Sequence, residues 1–392
     1  MTAEPARSAS DPTPASPTAV EDLVESSIKM ILDHQTGTGA YPASPTFSAY
    51  AGYCWFRDGS FIADAMSAVG HPESAEAFFD WCARIIEARE VQIRDIAALA
   101  LAGTPAPDAD MLPTRYTFAE EEGSEEWWDF QLDGYGMWLW ALGEHRRRYQ
   151  TDLTRWGHAI RLIVEYLCSS WRRPCFDWWE EFAEHTHVST LGSIAAGLSS
   201  ITAAGVLPEE LDSTARQSVE EIMGLIGSEG VHAGHLTKWI GGEEVDASLL
   251  ALIAPMSVIE AGSAVAEATV REIENHITDG NGVYRYAADT YYGGGQWPLL
   301  SCFLGLAHAS AGHHERAREI LDWTATTAGA DGSLPEQVNR RLLAPEHFAP
   351  WVERWGKPAD PLLWSHAMFL RLAAELRLVG QPTTPSHRED AE

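Results

Sequence analysis

Three stretches of this 392-residue chain set carboxyl groups beside large aromatic rings: YCWFRD at 53–58, WWDFQLDG at 127–134 and FDWWEEF at 176–182. A fourth, LPEQV at 334–338, adds a glutamate after a proline. Sugar rings stack on indoles, their hydroxyls bond to charged side chains, and cleavage of a glycosidic bond takes two carboxyl groups. These residue types in this pattern point to carbohydrate chemistry.

FDWWEEF places Asp177, Glu180 and Glu181 among Phe176, Trp178, Trp179 and Phe182. A general acid must stay protonated near neutral pH, and burial against indoles beside other carboxylates raises a carboxyl pKa. Adjacent residues are not expected to face one cavity squarely, so one of Glu180 and Glu181 is expected to donate the proton and the other to bind sugar hydroxyls. The same motif also fits an amphipathic helix start, with acids at the positive end of the dipole. Glu336, fixed in the turn DGSLPEQ, is a candidate for activating water, although an isolated loop glutamate more often sits in solvent. Arg57 and Asp58 offer a donor and an acceptor for sugar hydroxyls, or a helix cap with a local salt bridge. YRYAADTYYGGGQW at 284–297 gathers Arg285, Tyr291, Tyr292 and Trp297 around three glycines that permit close backbone approach to a ligand. It lacks the GxxxxGK[ST] order of a phosphate cradle. Trp127, Trp128 and Asp133 fit a binding wall or ordinary core packing. His185 and His187 stand two apart and no HExxH or Cys/His ligand spacing occurs, so neither a metal nor another cofactor is expected.

The 57 acidic against 27 basic residues give a formal net charge of −30, which repels phosphate backbones and anionic lipid surfaces. Nucleic acid and membrane partners are therefore not expected, and a small neutral oligosaccharide is compatible with the charge. Five cysteines form no CxxC pair and are odd in number, as expected of reduced thiols. The N-terminal residues lack the basic start and apolar run of a signal peptide, so a cytoplasmic location is expected. Residues 1–17 and 381–392 are too poor in large apolar groups to offset ordering entropy and are expected to be disordered, leaving 18–380 as a single domain.

Positioning those residues falls to helices. AVEDLVESSIKMILDHQ at 19–35 brings Leu23, Ile28, Ile31 and Leu32 close to one face, and GSFIADAMSAVG at 59–70 is apolar at helical spacing. Further helices are expected at 73–90, 92–102, 132–149, 152–170, 187–205, 208–227, 247–253, 262–277, 296–311, 313–328 and 359–378. Little alternates at period two, so sheet is limited to short hairpins. The class is all-α, and with no fixed 34- or 40-residue repeat a closed (α/α) barrel is expected in preference to an open solenoid. The motifs lie at helix starts or just before them, which would gather them at one end.

Together, YCWFRDGSF, QLDG, DWWEE, YRYAADTYYGGGQW, LPEQV and PLLWSHA at 361–367 resemble, in order, the motifs of glycoside hydrolase family 15, the glucoamylase-like enzymes. The resemblance spans about 330 residues. It implies an (α/α)6 barrel that removes glucose from non-reducing ends of α-glucosides with inversion, its two carboxyls about 6.5 to 9.5 Å apart. It implies Glu180 as proton donor, Glu336 as general base, and Arg57 with Asp58 as the grip on the terminal glucose. Glu181, Arg285, Tyr291 and Trp297 are the expected sugar contacts, with Trp127 a wall residue and Asp177, Trp178 and Trp179 completing the substrate-binding set. The chain is too short for the β-sandwich that precedes the barrel in many prokaryotic members. After WEE it reads FAEHTHVST where fungal members carry a Gly, Asn and Ser rich loop. The expected substrate is isomaltose or a short α-1,6 oligosaccharide; α-1,4 glucosides, trehalose and another (α/α)6 chemistry such as epimerisation are the alternatives.

Overall fold

The structure, a computed structural model, describes residues 17–124, 127 and 130–379. The tails expected at 1–17 and 381–392 lie outside the described residues, apart from Pro17, which opens the first helix. In chain order the helices are α1 (Pro17–His34), α2 (Phe56–Ala68), α3 (Pro72–Ala88), α4 (Glu90–Leu101), α5 (Asp133–Tyr149), α6 (Gly157–Ser170) and α7 (Val188–Ala204). They continue as α8 (Glu209–Glu229), α9 (Leu250–Ile253), α10 (Ala264–His276), α11 (Pro298–Ser310), α12 (His314–Ala325), α13 (Phe348–Trp355) and α14 (Leu363–Glu375).

Packing sorts them into two rings. α2, α5, α7, α9, α11 and α14 each touch the next, and α14 returns to α2, closing an inner ring. Around it, α1 lies on α14, α3 on α2, α8 on α7, α10 on α9 and α12 on α11, with α6 set among α3, α4 and α8. The chain alternates outer and inner helices, with α4 and α13 as additions.

Sequence explains the sorting. Every residue of α2 is buried, and α11 is buried from Pro298 to Ala309: α11 is small or apolar on nearly all sides, and the three charged residues of α2, Arg57, Asp58 and Asp64, are buried in ion pairs. Outer helices bury one stripe, as α3 does with Phe78, Phe79, Cys82, Ile85 and Ile86. Glycine brings α5 and α7 into backbone contact: a Cβ on Gly197 would lie 2.2 Å from the Gly136 carbonyl oxygen. At the end of the ring opposite the helix starts, Asp64 of α2 binds Arg148 of α5 (2.7 Å) and Arg371 of α14 (3.2 Å), joining three inner helices.

Three small two-stranded antiparallel sheets sit in the connections: the hairpins β3 (Val231–His232) with β4 (His235–Leu236) and β5 (Thr278–Asp279) with β6 (Gly282–Val283), and a long-range pair, β1 (Tyr53–Trp55) with β2 (Arg115–Thr117), whose strands are separated by α2, α3 and α4. The helix expected at 152–170 opens instead as a 3₁₀ turn, Leu153–Trp156, capped by the Asp152 carboxylate on the Thr154 N–H (2.9 Å). The segment expected at 247–253 opens similarly beneath Asp246. The last helix starts later than expected, at Leu363, because Leu362 is extended after Pro361. α13 was not expected; Pro350 sits in its first turn, where a missing N–H costs little. The five cysteines are free thiols, all buried except the half-buried Cys168.

Candidate active site

Every motif falls on a connection from an outer helix to the next inner one, or on that inner helix's first turn. RDGS lies within α2, so Arg57 and Asp58 are first-turn residues. FDWWEEF is an irregular turn between α6 and α7, contrary to the helix start it also fitted.

Asp177 organises that turn. Its Oδ1 accepts from the backbone N–H groups of Trp179 and Glu181, both at 2.9 Å, and its Oδ2 lies 3.1 Å from Lys238 Nζ. Lys238 is shared with Asp246 (2.7 Å), which also receives the Trp179 indole N–H at 2.9 Å. Glu180 and Phe182 adopt left-handed φ values of 64° and 55°. His187 Nε2 holds the Phe182 carbonyl at 2.9 Å, so this nitrogen carries the proton. The left-handed step at Glu180 turns the chain so that Glu180 and Glu181 both line one cavity, which corrects the expectation that adjacent residues would not both face it squarely. Asp177 is the second correction. It does not line the cavity, because its oxygens are committed to the turn and to Lys238.

The loop of Glu336 is pinned from several sides. Its N–H donates to the Ala359 carbonyl (2.8 Å), Val338 and Gln296 exchange backbone hydrogen bonds, and the Gly295 N–H donates to Gln337 Oε1 (2.9 Å). Glycine suits this close approach, since a Cβ on Gly295 would lie 2.8 Å from the Val338 backbone carbonyl oxygen. Leu362 N–H, just before α14, and Ser365 Oγ and His366 Nε2 within it all bond to the backbone of Leu334 and Pro335. Burial pushes His366 down to about 3, so its ring is neutral and Nε2 can accept the Leu334 N–H.

Of the twelve residues expected as acid, base or substrate-binding groups, eleven meet in the cavity: Arg57, Asp58, Trp127, Trp178, Trp179, Glu180, Glu181, Arg285, Tyr291, Trp297 and Glu336. Trp128 lies outside the described residues, and Asp133 is fully buried beneath Arg57 at 3.1 Å. Arg57 also reaches Asp58 (3.7 Å) and Glu180 (3.8 Å). Glu180 Oε1 accepts from the Trp55 indole at 2.7 Å. Burial pushes its carboxyl above the usual range, with Arg57 and the indole donors pulling the other way. Glu181 takes hydrogen bonds from Tyr286 and Arg285, and the Arg285 guanidinium forks onto Asp289 with the Trp179 and Tyr291 rings 5.3 and 5.0 Å away.

Glu336 is 1% exposed; Oε1 accepts from Tyr50 Oη at 2.8 Å, while Oε2 has no hydrogen-bond partner among the described residues. Burial raises its carboxyl to about 7, against the opposing effects of the Tyr50 hydrogen bond and Arg285. Asp58 is likewise raised to about 7, by burial first and with Arg57 opposing. An unpartnered buried acceptor beside a cavity is a place for a water proton, and a carboxyl near 7 is matched to proton transfer at neutral pH. Tyr50 also contacts Tyr291 Oη (3.1 Å), and its ring meets Trp55 edge-on at 5.4 Å, so neighbouring rings hold the two glutamates.

Sequence reasoning missed Tyr50, Trp55, Trp364 and the α13 residues Trp351, Arg354 and Trp355 among the lining, and Lys238, Asp246, His187 and His366 among the supports. Trp55 and Trp364 lie inside motifs already singled out. The others carry no local signal.

A sequence profile described as "Glycosyl hydrolases family 15" matches residues 19–327. The isomaltose glucohydrolase of Kribbella flavida is 46% identical over 361 residues, covering 92% of this chain and 94% of its own. Trehalase 2 of Sulfolobus acidocaldarius is 25% identical over 284 residues, 69% of this chain and 49% of its own. A glycosidase variant solved in complex with glucose superposes with a TM-score of 0.91 at 45% identity, covering 93% of this chain and 98% of that one. The family 15 glucoamylase of Hypocrea jecorina shares the fold alone, at a TM-score of 0.66 and 16% identity over 94% and 75% of the two chains. The double ring of helices is thus an (α/α)6 barrel, and the chain belongs to glycosyl hydrolases family 15.

Proposed function

We propose that the protein is an inverting exo-acting α-glucosidase that releases β-glucose from the non-reducing end of isomaltose and short α-1,6-linked oligosaccharides. The observation that carries this reading is that Glu180 and Glu336, from opposite stretches of the chain, line one cavity with Arg57, Asp58 and Arg285. The terminal glucose sits on the buried floor, where Trp178 and Trp364 supply flat apolar faces and Arg57 and Asp58 donate to and accept from hydroxyls.

Glu336, ionised, takes a proton from a water held at Oε2, and the water oxygen bonds to the anomeric carbon. The bond from that carbon to the bridging oxygen breaks as Glu180 gives its proton to the leaving oxygen. One water is consumed and the anomeric configuration is reversed. Glu181, held by Tyr286 and Arg285, receives hydroxyls next to the scissile bond.

The Kribbella relative supports the α-1,6 preference, while the trehalase relative keeps an α,α-1,1 substrate in view. Initial glucose release from isomaltose, maltose and trehalose at equal concentration tests the assignment. Isomaltose should have a kcat/KM at least about tenfold above the other two; a higher value for maltose or trehalose would move the assignment to that linkage.

A further inference from the structure

The cavity is graded in exposure. Trp178 and Trp364 on its floor are 1% and 3% exposed, whereas Trp351 and Trp355 are half-buried and Arg354 is exposed. Those last three come from α13, where spacings of three and four place them on one helical face. Their exposure puts that face at the rim.

α13 is held there by the turn that also bears Tyr291. Trp351 meets the Tyr291 ring edge-on at 4.9 Å and lies 5.8 Å from Tyr292, while Leu343 and Ala344 donate backbone N–H groups to Gly294 and Gly293. None of its eight residues is buried, yet it carries two indoles into the cavity lining. The Arg354 guanidinium lies 5.1 Å from the Trp355 ring and 6.0 Å from that of Trp351. Among the described residues it makes no ion pair, in a chain with 57 acidic side chains. Its donors remain available to a ligand.

Aromatic faces beside an unengaged planar donor match a neutral sugar, whose C–H face packs on indole while its hydroxyls accept hydrogen bonds. We propose that α13 is the platform for the leaving-group sugar, with Trp355 and Trp351 against its ring and Arg354 on its hydroxyls. This rests on the exo-glucosidase reading above: with the non-reducing glucose on the floor, the departing sugar occupies the rim.

The test compares two substrates on full-length wild-type, Arg354→Ala and Trp355→Ala enzyme. Isomaltose has a sugar to place on α13, and α-glucosyl fluoride has none. Each variant should lose about tenfold or more in kcat/KM on isomaltose and keep its rate on the fluoride within about threefold. Equal losses on both substrates, or no loss on isomaltose, would overturn the role of α13. The wild-type rate on isomaltose reports separately on the substrate assignment. Arg354 is exposed, so its truncation decides the question even if Trp355→Ala folds poorly.

Discussion

Glu336 shows how a residue suited to catalysis weakens the fold that holds it. Its carboxyl, raised by burial from a usual value near 4.5 to about 7, binds its proton more tightly in the folded protein than in the unfolded chain. The stability it contributes is full below about pH 4.5 and is lost as the pH rises through about 7, where the folded protein must ionise a buried group. Glu336→Gln keeps the shape and an acceptor for Tyr50 but cannot ionise. It should match the wild type in stability near pH 4 and exceed it by on the order of 2 kcal/mol at pH 8, while losing hydrolysis. Thermal unfolding at the two pH values measures this, and a variant no more stable at pH 8 would remove the burial argument. Glu336 itself was legible because LPEQV stands in order with five other motifs, whereas Tyr50, which bonds to it, was not. TFSAY offers no spacing or composition that distinguishes a catalytic partner from a half-buried tyrosine.

At the scale of elements, the two glutamates are held by different devices. The Glu180 turn is built on one carboxylate, Asp177, neutralised by Lys238 from a connection far along the chain. Sequence placed Asp177 among the sugar contacts because it stands in a run of acids and aromatics; its commitment to Lys238 is a long-range fact. The Glu336 loop hangs on α14, where His366 joins Leu334 N–H at 3.0 Å to Ser27 Oγ of α1 at 2.9 Å. His366→Ala removes both bonds and leaves a void, so it should cost about 2–4 kcal/mol of stability. Loosening the base loop should also lower kcat about tenfold or more at temperatures where the variant is folded, with a smaller change in KM. Denaturant unfolding and steady-state kinetics read the two effects, and an unchanged kcat would show that the loop holds its place without His366. Helices with long apolar repeats were legible nearly to their ends. The exceptions were segments started by an aspartate cap or a proline, where local hydrogen bonding overrides the apolar period.

Across the whole molecule, closure of the inner ring assembles the site, because it brings connections from all parts of the chain to one end. That closure is tied at the other end by Asp64, which neutralises Arg148 and Arg371 from two different helices. Asp64→Ala leaves the half-buried guanidiniums of Arg148 and Arg371 with Glu144 (3.6 Å) and Glu375 (2.9 Å) as their remaining partners and should destabilise the barrel by about 1–3 kcal/mol. Asp64 stands about two turns along α2 from Arg57, or roughly 10 Å, so the folded fraction should retain its kcat/KM. Denaturant titration with activity measured at low temperature checks both halves, and a loss below about 1 kcal/mol would mean that the ring closes without this tie. An all-helical ring was readable from periodicity and from the placement of motifs before helices. Which helices turn inward was readable only in part, since α11 is small or apolar nearly all round, while α2 buries three charged residues and α9 is a single turn.

The central claim is that Glu180 and Glu336 act from opposite faces of one sugar, with water entering on the Glu336 side. Proton NMR of the anomeric signals during the first minutes of isomaltose hydrolysis tests it most directly. The account predicts that β-glucose appears first and that α-glucose grows in only by slow mutarotation. Early α-glucose would contradict it, because retention requires one of these carboxylates to bond to the sugar instead of activating water.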